Sequence, residues 1–245
     1  MNRSFAVLGV LAVALVLGAC RGSKVPPDLT AEQLRAAGLA KLEAGDEPGA
    51  REIFERMMTR SGADEALYFI ALSYYEQKLY EEAYVRFEEI IDRYPASEWC
   101  DDAQYMKAKS RLASAPPLDK DQTAVDEALD EFATLIEEYE NSPLVPKAQA
   151  GIAEARRLKA AKLLATGKFY KKAHEWQAAV IYFENLAGDY PGYEGLAEAS
   201  FLTGECYLAL GEGEAASRSY RDVLSRFPES RFAAAAAARL AALEG

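Results

Sequence analysis

The side chains most suited to catalysis are few in this chain, and no two of them form a recognisable pair. His174 is the only histidine, and it follows two lysines at a position expected to be an exposed loop. Acid–base catalysis and nucleophilic triads need a second group within hydrogen-bond reach of the first. The carboxylate runs Glu81-Glu82, Glu88-Glu89 and Glu137-Glu138 are typical of solvated helix faces. We therefore predict that the protein is not an enzyme.

The cysteines and glycines indicate neither a metal site nor a phosphate site. The chain has three cysteines, and it lacks both a C-x-x-C pair and a Cys/His cluster of the kind that binds structural zinc. Cys100 and Cys206 lie far apart in the sequence, and we expect a separate buried thiol at each position. Gly211-Glu212-Gly213 falls between two predicted helices and is interpreted as a turn. No metal and no cofactor is predicted apart from a covalent lipid.

The overall charge excludes two classes of partner. Twenty-eight basic residues stand against 39 acidic ones, which gives a formal net charge of −11. Such a surface disfavours nucleic acid, and it disfavours adhesion to anionic lipid through a basic patch. Any attachment to a membrane must therefore come from another source.

That source is indicated at the N-terminus. A basic head, Met1-Asn2-Arg3, precedes an apolar run from Phe5 to Leu17 that is too short to span a bilayer. Leu17-Gly18-Ala19-Cys20 resembles the lipobox of bacterial lipoproteins, which implies cleavage before Cys20 and fatty acyl chains such as palmitate on its thiol. The alternative is a simple cleaved signal with an incidental cysteine. Because Arg21 is not the aspartate of an inner-membrane retention signal, we expect the periplasmic face of the outer membrane of a Gram-negative bacterium.

A repeated pattern predicts the elements that carry the remaining residues. An alanine is followed four residues later by an aromatic residue at Ala50/Phe54, Ala83/Phe87, Ala128/Phe132, Ala179/Phe183 and Ala216/Tyr220. Small residues upstream and Tyr-Pro or Phe-Pro pairs downstream recur in register, and this resembles the tetratricopeptide repeat, a helical hairpin of about 34 residues. We predict an all-α tetratricopeptide-repeat solenoid of five hairpins over roughly residues 30–245, ending in a capping helix at 232–243.

Two irregularities interrupt the repeat. The third copy carries an insertion, 113–123, whose paired prolines predict a loop, and Asp121 or Thr123 is expected to cap the following helix. The fourth copy is preceded by a long stretch that predicts an extended first helix from about Val145 to Gly167.

The first helices of the hairpins predict a binding groove. In the repeat family, positions spaced three, four and three residues apart on these helices line the groove. The N-terminal members considered as a client-peptide groove are Arg35, Leu39, Tyr68, Leu72, Tyr75, Tyr105 and Lys109. Aromatic rings flanked by cations suit an extended peptide that has aromatic side chains and a terminal carboxylate. The alternative, given equal weight, is that these rings only pack between repeats.

Several motifs together resemble the BamD family of lipoproteins of the outer-membrane β-barrel assembly machinery. They are Cys20 in its lipobox, Phe87-Glu88 to Tyr94-Pro95-Ala96-Ser97, Phe169-Tyr170-Lys171-Lys172 and the insertion-loop signature Asp119, Asp121, Gln122 and Thr123. The chain departs from the family at Glu140, where a proline is usual. The resemblance implies a non-catalytic scaffold whose partners are a BamA-like barrel protein, the C-terminal segments of unfolded outer-membrane proteins and other lipoprotein subunits.

The resemblance also implies a division of the chain. Residues 1–19 would be the signal peptide, 20–29 a lipidated tether, 30–145 the client-peptide groove and 146–245 the docking region for the complex. Two other functions stay open at this stage. One is a periplasmic repeat protein that coordinates envelope division or peptidoglycan synthesis with the Tol-Pal system, although that family normally has a coiled coil and no lipobox. The other is a lipoprotein enzyme.

Overall fold

The structure, a computed structural model, describes residue 26 and residues 28–60, 62–118 and 120–244. Cys20 and Asp119, named above as the lipid site and part of the insertion signature, lie outside the described residues.

The described residues form eleven helices and no strand. They are α1 (Ala31–Glu43), α2 (Glu47–Met58), α3 (Ala63–Glu76), α4 (Tyr80–Arg93), α5 (Cys100–Ala113), α6 (Thr123–Glu138), α7 (Val145–Lys172), α8 (Trp176–Asp189), α9 (Leu196–Ala209), α10 (Gly213–Arg226) and α11 (Ala233–Glu244). The ten helices α1–α10 form the five predicted hairpins, with helix A first and helix B second in each, and α11 follows as the predicted terminal helix. The prediction of an all-helical repeat fold is confirmed.

Small residues on helix A allow the aromatic residue of helix B to enter the hairpin. A Cβ atom added to Gly38 would lie 2.4 Å from the ring of Phe54, and one added to Gly204 would lie 2.6 Å from the ring of Tyr220. The five repeated aromatics, Phe54, Phe87, Phe132, Phe183 and Tyr220, are at most 1 % exposed. Burial of one such ring contributes roughly 1.5–3 kcal/mol, so the repeated pattern marks the core of each hairpin.

Helix B ends at the same register in each later hairpin. Tyr94, Tyr190 and Phe227 follow the last helical residue with φ near −130° and ψ between 50° and 61°. Each precedes a proline, whose ring disfavours helical backbone in the residue before it. In the third hairpin, α6 ends at Glu138 although Glu140 replaces the proline. A proline at this position is therefore not required for helix B to end at the same register.

The long helix of the fourth hairpin begins where predicted but ends later. α7 runs from Val145 to Lys172, so the predicted end at Gly167 is wrong. Gly167 lies inside the helix, where a Cβ atom would be 2.4 Å from the ring of Phe183. The glycine provides a close approach between α7 and α8 and does not terminate α7.

Two compact units divide the chain. The first comprises the described residues up to Ser114 together with Glu127–Gly151, and its core is built on Phe54, Phe69 and Phe87. The second comprises 115–126 and 152–244, with cores built on Phe183 and Tyr220. Within the described ranges, no helix has the length and apolarity that a bilayer crossing requires.

Candidate functional site

Two A helices and the beginning of a third, all within the first unit, bring two tyrosines and two lysines together. The ammonium of Lys109 on α5 lies 5.2 Å from the centre of the Tyr75 ring on α3 and 5.8 Å from that of Tyr105. The ammonium of Lys147, in the first turn of α7, lies 6.0 Å from the centre of the same Tyr105 ring. We call these four residues the aromatic–lysine cluster. It contains three of the seven predicted groove residues.

Helix geometry explains the arrangement. Tyr105 and Lys109 are four residues apart on α5 and therefore lie on one face, one turn apart. The Tyr75 ring packs at 5.3 Å from that of Tyr80, and the Tyr105 ring at 6.0 Å from that of Phe132. Because both rings are half-buried against neighbouring side chains, they form a supported surface under the two ammonium groups.

The two lysines of the cluster have no acidic partner among the described residues, since no carboxylate there lies within 4 Å of either ammonium. A lysine over an exposed aromatic ring gains only about 0.5–1 kcal/mol. A charge-assisted hydrogen bond to a carboxylate contributes about 1.5–3 kcal/mol. The cluster can therefore accept a carboxylate from another molecule without breaking an ion pair of its own.

The other predicted groove residues have different roles. The guanidinium of Arg35 pairs with Glu65 at 2.9 Å, so it is already neutralised by α3. Leu39 and Leu72 pack against the core of the first unit.

Tyr68 is enclosed by aromatic rings. Its ring centre lies 5.6 Å from those of Phe69 and Phe87 and 4.7 Å from that of Trp99. Burial raises the pKa of its hydroxyl. For Tyr68 the structure therefore favours the packing alternative.

Lys147 is not among the residues that the sequence predicts for the groove. The available signal was the predicted helix start at Val145, which places Lys147 in the first turn.

A charged network joins α4, α5 and α6 on another side of α5. The ammonium of Lys107 lies 3.2 Å from Glu88 and 3.1 Å from Glu131, and only 12 % of its side chain is exposed. The hydroxyl of Tyr84 donates to Glu131 at 2.7 Å, and the amide of Gln104 donates to it at 2.8 Å. Burial alone would raise the pKa of Glu131, but the hydrogen bonds from these three donors leave it lowered.

Three of the carboxylates expected to be solvated take part in ion pairs, and one of them, Glu81, stays exposed and lies 2.6 Å from the guanidinium of Arg111. Glu88 belongs to this network, and Glu89 pairs with Arg86 at 2.7 Å and with Arg93. Both glutamates are only partly exposed, whereas Glu137 and Glu138 are exposed as expected.

The insertion loop is held by its own polar side chains in the second unit. The amide nitrogen of Thr123 donates to the carboxylate of Asp121 at 2.7 Å, so Asp121 supplies the acceptor at the start of α6. The side chain of Gln122 donates to the carbonyl oxygen of Pro117 at 3.1 Å. The ammonium of Lys162 donates to the carbonyl oxygen of Lys120 at 3.1 Å, which ties the loop to α7.

The remaining chemistry-bearing side chains are isolated. His174 is exposed in the turn between α7 and α8, with φ of 63° and its ring against that of Trp176 at 5.0 Å. Cys100 and Cys206 are free and buried, as predicted. Over the part of the chain that the structure describes, no cluster of His, Cys, Asp and Glu side chains could hold a metal ion.

Comparison with known proteins identifies the family. A family profile described as "YfiO: Outer membrane lipoprotein" matches residues 27–221. The chain belongs to this family. The outer membrane protein assembly factor BamD of Caulobacter vibrioides is 25 % identical over 92 % of this chain and 77 % of its own length. BamD of Rickettsia prowazekii is 26 % identical over 91 % of each chain.

A solved structure agrees on the fold. The TPR2AB domain in the pHSP90 complex of yeast Sti1 matches with a TM-score of 0.50 at 14 % identity, over 87 % of this chain and 83 % of that one. The predicted resemblance to the family is confirmed, and membership of the YfiO family agrees with the expectation of a non-catalytic scaffold.

Proposed function

We propose that the chain is a lipid-anchored scaffold of the outer-membrane β-barrel assembly complex, and that the aromatic–lysine cluster binds the C-terminal segments of unfolded outer-membrane proteins. Membership of the YfiO family and the BamD relatives support the assembly role. They favour it over the Tol-Pal alternative. The cluster itself supports the binding role.

One observation carries the binding proposal. Lys109 lies between the rings of Tyr75 and Tyr105 and has no acidic partner among the described residues. The rings offer contact area to an aromatic side chain at a low cost in conformational entropy. The ammonium group of Lys109 offers a partner to the terminal carboxylate. Tyr68 and Arg35 are left out of the contact surface because the core and Glu65 already engage them.

The test compares two forms of one peptide. A fluorescent peptide that copies the last residues of an outer-membrane β-barrel protein, aromatic at its C-terminus, is titrated with the purified full chain as the free acid and as the carboxamide. Lys109→Met should weaken binding of the acid by about 10- to 100-fold, since the lost charge-assisted contact contributes ~1.5–3 kcal/mol. The carboxamide should bind weakly to both chains.

Lys172→Met is the control, because Lys172 is also a lysine near the end of an A helix but is more exposed and belongs to the second unit. It should leave the affinity unchanged. Equal affinity for acid and carboxamide, or an unchanged affinity in Lys109→Met, would contradict the proposed contact. Raising the salt concentration should selectively weaken binding of the acid, because salt screens an ion pair formed by the partly exposed Lys109.

The division of labour along the chain is part of the proposal. Residues 30–145 would receive the client, and residues 146–245 would dock on the periplasmic domains of a BamA-like protein. The full chain should co-purify with such a protein when both are produced together. Recovery of the chain without any barrel protein would count against this docking.

The lipid anchor is proposed from Leu17-Gly18-Ala19-Cys20. Cells that produce the chain should incorporate labelled palmitate into it, and Cys20→Ser should abolish the label and release the protein from the outer-membrane fraction. A mature chain that begins at Cys20 without fatty acid would contradict the proposal.

A further inference from the structure

Grooves that recur along the repeat array differ in what fills them. Each groove lies between helix B of one hairpin and both helices of the next. We call the grooves by their hairpins: groove 1–2 (α2, α3, α4), groove 2–3 (α4, α5, α6) and groove 4–5 (α8, α9, α10).

Grooves 1–2 and 2–3 each contain a cation on a tyrosine ring. In groove 1–2, the guanidinium of Arg51 on α2 lies 4.5 Å from the centre of the Tyr74 ring on α3. In groove 2–3 the arrangement is reversed, because helix A supplies the cation and helix B supplies the ring. The guanidinium of Arg111 on α5 lies 3.9 Å from the centre of the Tyr84 ring on α4. Lys107 fills the rest of groove 2–3, between Glu88 and Glu131.

Groove 4–5 has the same framework with smaller side chains. Three pairs of small residues align the helices of the two grooves position by position, namely Ala83 with Ala179, Ala108 with Gly204 and Ala128 with Ala216. The residues of groove 2–3 then correspond to those of groove 4–5 as follows: Tyr84 to Val180, Glu88 to Glu184, Lys107 to Thr203, Arg111 to Tyr207 and Glu131 to Ser219. Groove 4–5 therefore has a carboxylate, Glu184, at the position of Glu88. It also has a tyrosine, Tyr207, at the position of Tyr74 in groove 1–2. The two cations of groove 2–3, Lys107 and Arg111, are replaced.

The replacement leaves a cavity of about 470 Å³ in groove 4–5. Thr203, Ser219, Glu184 and Tyr207 all line it. The hydroxyl of Tyr207 donates to Glu184 at 2.7 Å. Among the described residues, no cation lies over the Tyr207 ring and none lies within 4 Å of Glu184.

Two arginines also line the cavity, but neither lies over the Tyr207 ring or pairs with Glu184. Arg226 pairs with Asp222 at 3.3 Å, and its guanidinium lies 5.0 Å from the centre of the Phe227 ring. Arg218 is exposed, and its charge acts on the Tyr207 hydroxyl from a distance, but its guanidinium lies neither over the Tyr207 ring nor within 4 Å of a carboxylate in the described part of the chain. The place next to Glu184 and Tyr207 is thus open to a cation from outside.

We propose that groove 4–5 receives an arginine side chain of a partner protein, with its guanidinium over the Tyr207 ring and paired with Glu184. Arginine is favoured over lysine because its planar group stacks on an aromatic ring while its edge donates to a carboxylate. Arg111 in groove 2–3 shows this arrangement within the same chain, stacked on Tyr84 and 2.6 Å from Glu81. The site is separate from the aromatic–lysine cluster, so it does not depend on peptide binding there.

The test uses a single guanidinium probe on the full chain in detergent micelles. N-acetyl-arginine amide is titrated against the ¹⁵N-labelled protein and compared with N-acetyl-citrulline amide, which has nearly the same shape but no charge. The arginine probe should shift amide resonances of α8, α9 and α10 saturably at millimolar concentration. The citrulline probe should bind at least about tenfold more weakly, because it lacks the charge that both the ring and the carboxylate attract.

Three variants separate the proposal from a nonspecific charge effect. Glu184→Gln keeps an acceptor for Tyr207 but removes the charge, and it should weaken arginine binding several-fold. Glu214→Gln removes an exposed carboxylate of α10 that does not line the cavity, and it should change nothing. The double substitution Thr203→Lys and Ser219→Glu reproduces the pair of groove 2–3, and it should abolish binding while raising the melting temperature.

Equal binding of the two probes, shifts outside the three helices, or unchanged binding in Glu184→Gln would each overturn the proposal. If the double variant does not fold, the comparison of Glu184→Gln with Glu214→Gln still decides, because both of these changes are nearly isosteric.

Discussion

Two glycines of one hairpin should respond in opposite ways to the same substitution. Gly167 lies inside α7, where an added Cβ atom would be 2.4 Å and 2.7 Å from two ring carbons of Phe183. Gly188 lies in α8, and a Cβ atom there would meet nothing within 4 Å. Both positions are helical, so the intrinsic gain from glycine to alanine applies to both, although it is smaller near the end of α8.

The size of each effect follows from this geometry. Alanine stabilises a helix interior by about 1 kcal/mol over glycine. At Gly188 that gain is unopposed, and Gly188→Ala should raise the free energy of unfolding by roughly 0.5–1 kcal/mol. At Gly167, contact between carbon atoms is favourable only near ~3.5–4 Å, and forcing a methyl group into a packed core costs about 1–3 kcal/mol or more. Because the Phe183 ring is only 1 % exposed and cannot swing away, Gly167→Ala should lower the free energy of unfolding by about 1–2 kcal/mol.

Urea unfolding of the two variants, followed by far-ultraviolet circular dichroism, measures both changes. The slope with urea should be the same in both, so that the midpoints report stability. A second substitution, Phe183→Leu, should reduce the cost of Gly167→Ala because it removes the opposing ring atoms. If Gly167→Ala stabilised the protein as much as Gly188→Ala, the close packing of α7 on α8 would be wrong.

Three further predictions follow from the charged and buried groups. Glu131→Gln should lower the free energy of unfolding by about 2 kcal/mol, because it leaves the mostly buried Lys107 with one partner fewer. Since the folded-state pKa of Glu131 is lowered, the unmodified chain should lose this stability as the pH falls below about 4.3. Urea midpoints measured over an acid pH series would detect the loss. Burial and the hydrogen bond to its carboxylate partner raise the pKa of Tyr207 to about 12, so stability should fall as the pH rises from about 10 through that value, and Tyr207→Phe should weaken this loss in alkaline melting curves. Burial raises the pKa of Cys206 to about 11. A thiol reagent at neutral pH should therefore label Cys206 and the buried Cys100 only after denaturant is added. Labelling of the folded chain at the rate of a free thiol would contradict their burial.

Much of the fold follows from local sequence rules. The alanine–aromatic pairs predict the core of each hairpin, and Tyr94-Pro95 predicts a helix end that the backbone then adopts. The prediction failed at Gly167, since a glycine that ends a helix and a glycine that admits a neighbouring ring look alike in one sequence. Only the position of Phe183 in space distinguishes them.

The candidate site is harder to predict from the sequence than the fold, because its contacts are made between side chains of different helices. Position on a helix face correctly brought Tyr75, Tyr105 and Lys109 together. It could not separate Tyr68, which occupies an equivalent position but is enclosed by Trp99 from the following loop. Nor could it find the Lys107 network, whose partners come from two other helices.

The exchange of roles between groove 1–2 and groove 2–3 restricts how the repeats can be shuffled. Removing the second hairpin, α3 and α4, would place Arg51 of α2 beside Arg111 of α5, two guanidinium groups facing each other with no tyrosine between them. Duplicating that hairpin would instead set Tyr84 of one copy against Tyr74 of the next, which is two rings without a cation. Each hairpin therefore fits the neighbour that it has, and the order of the modules is encoded in the contacts between them.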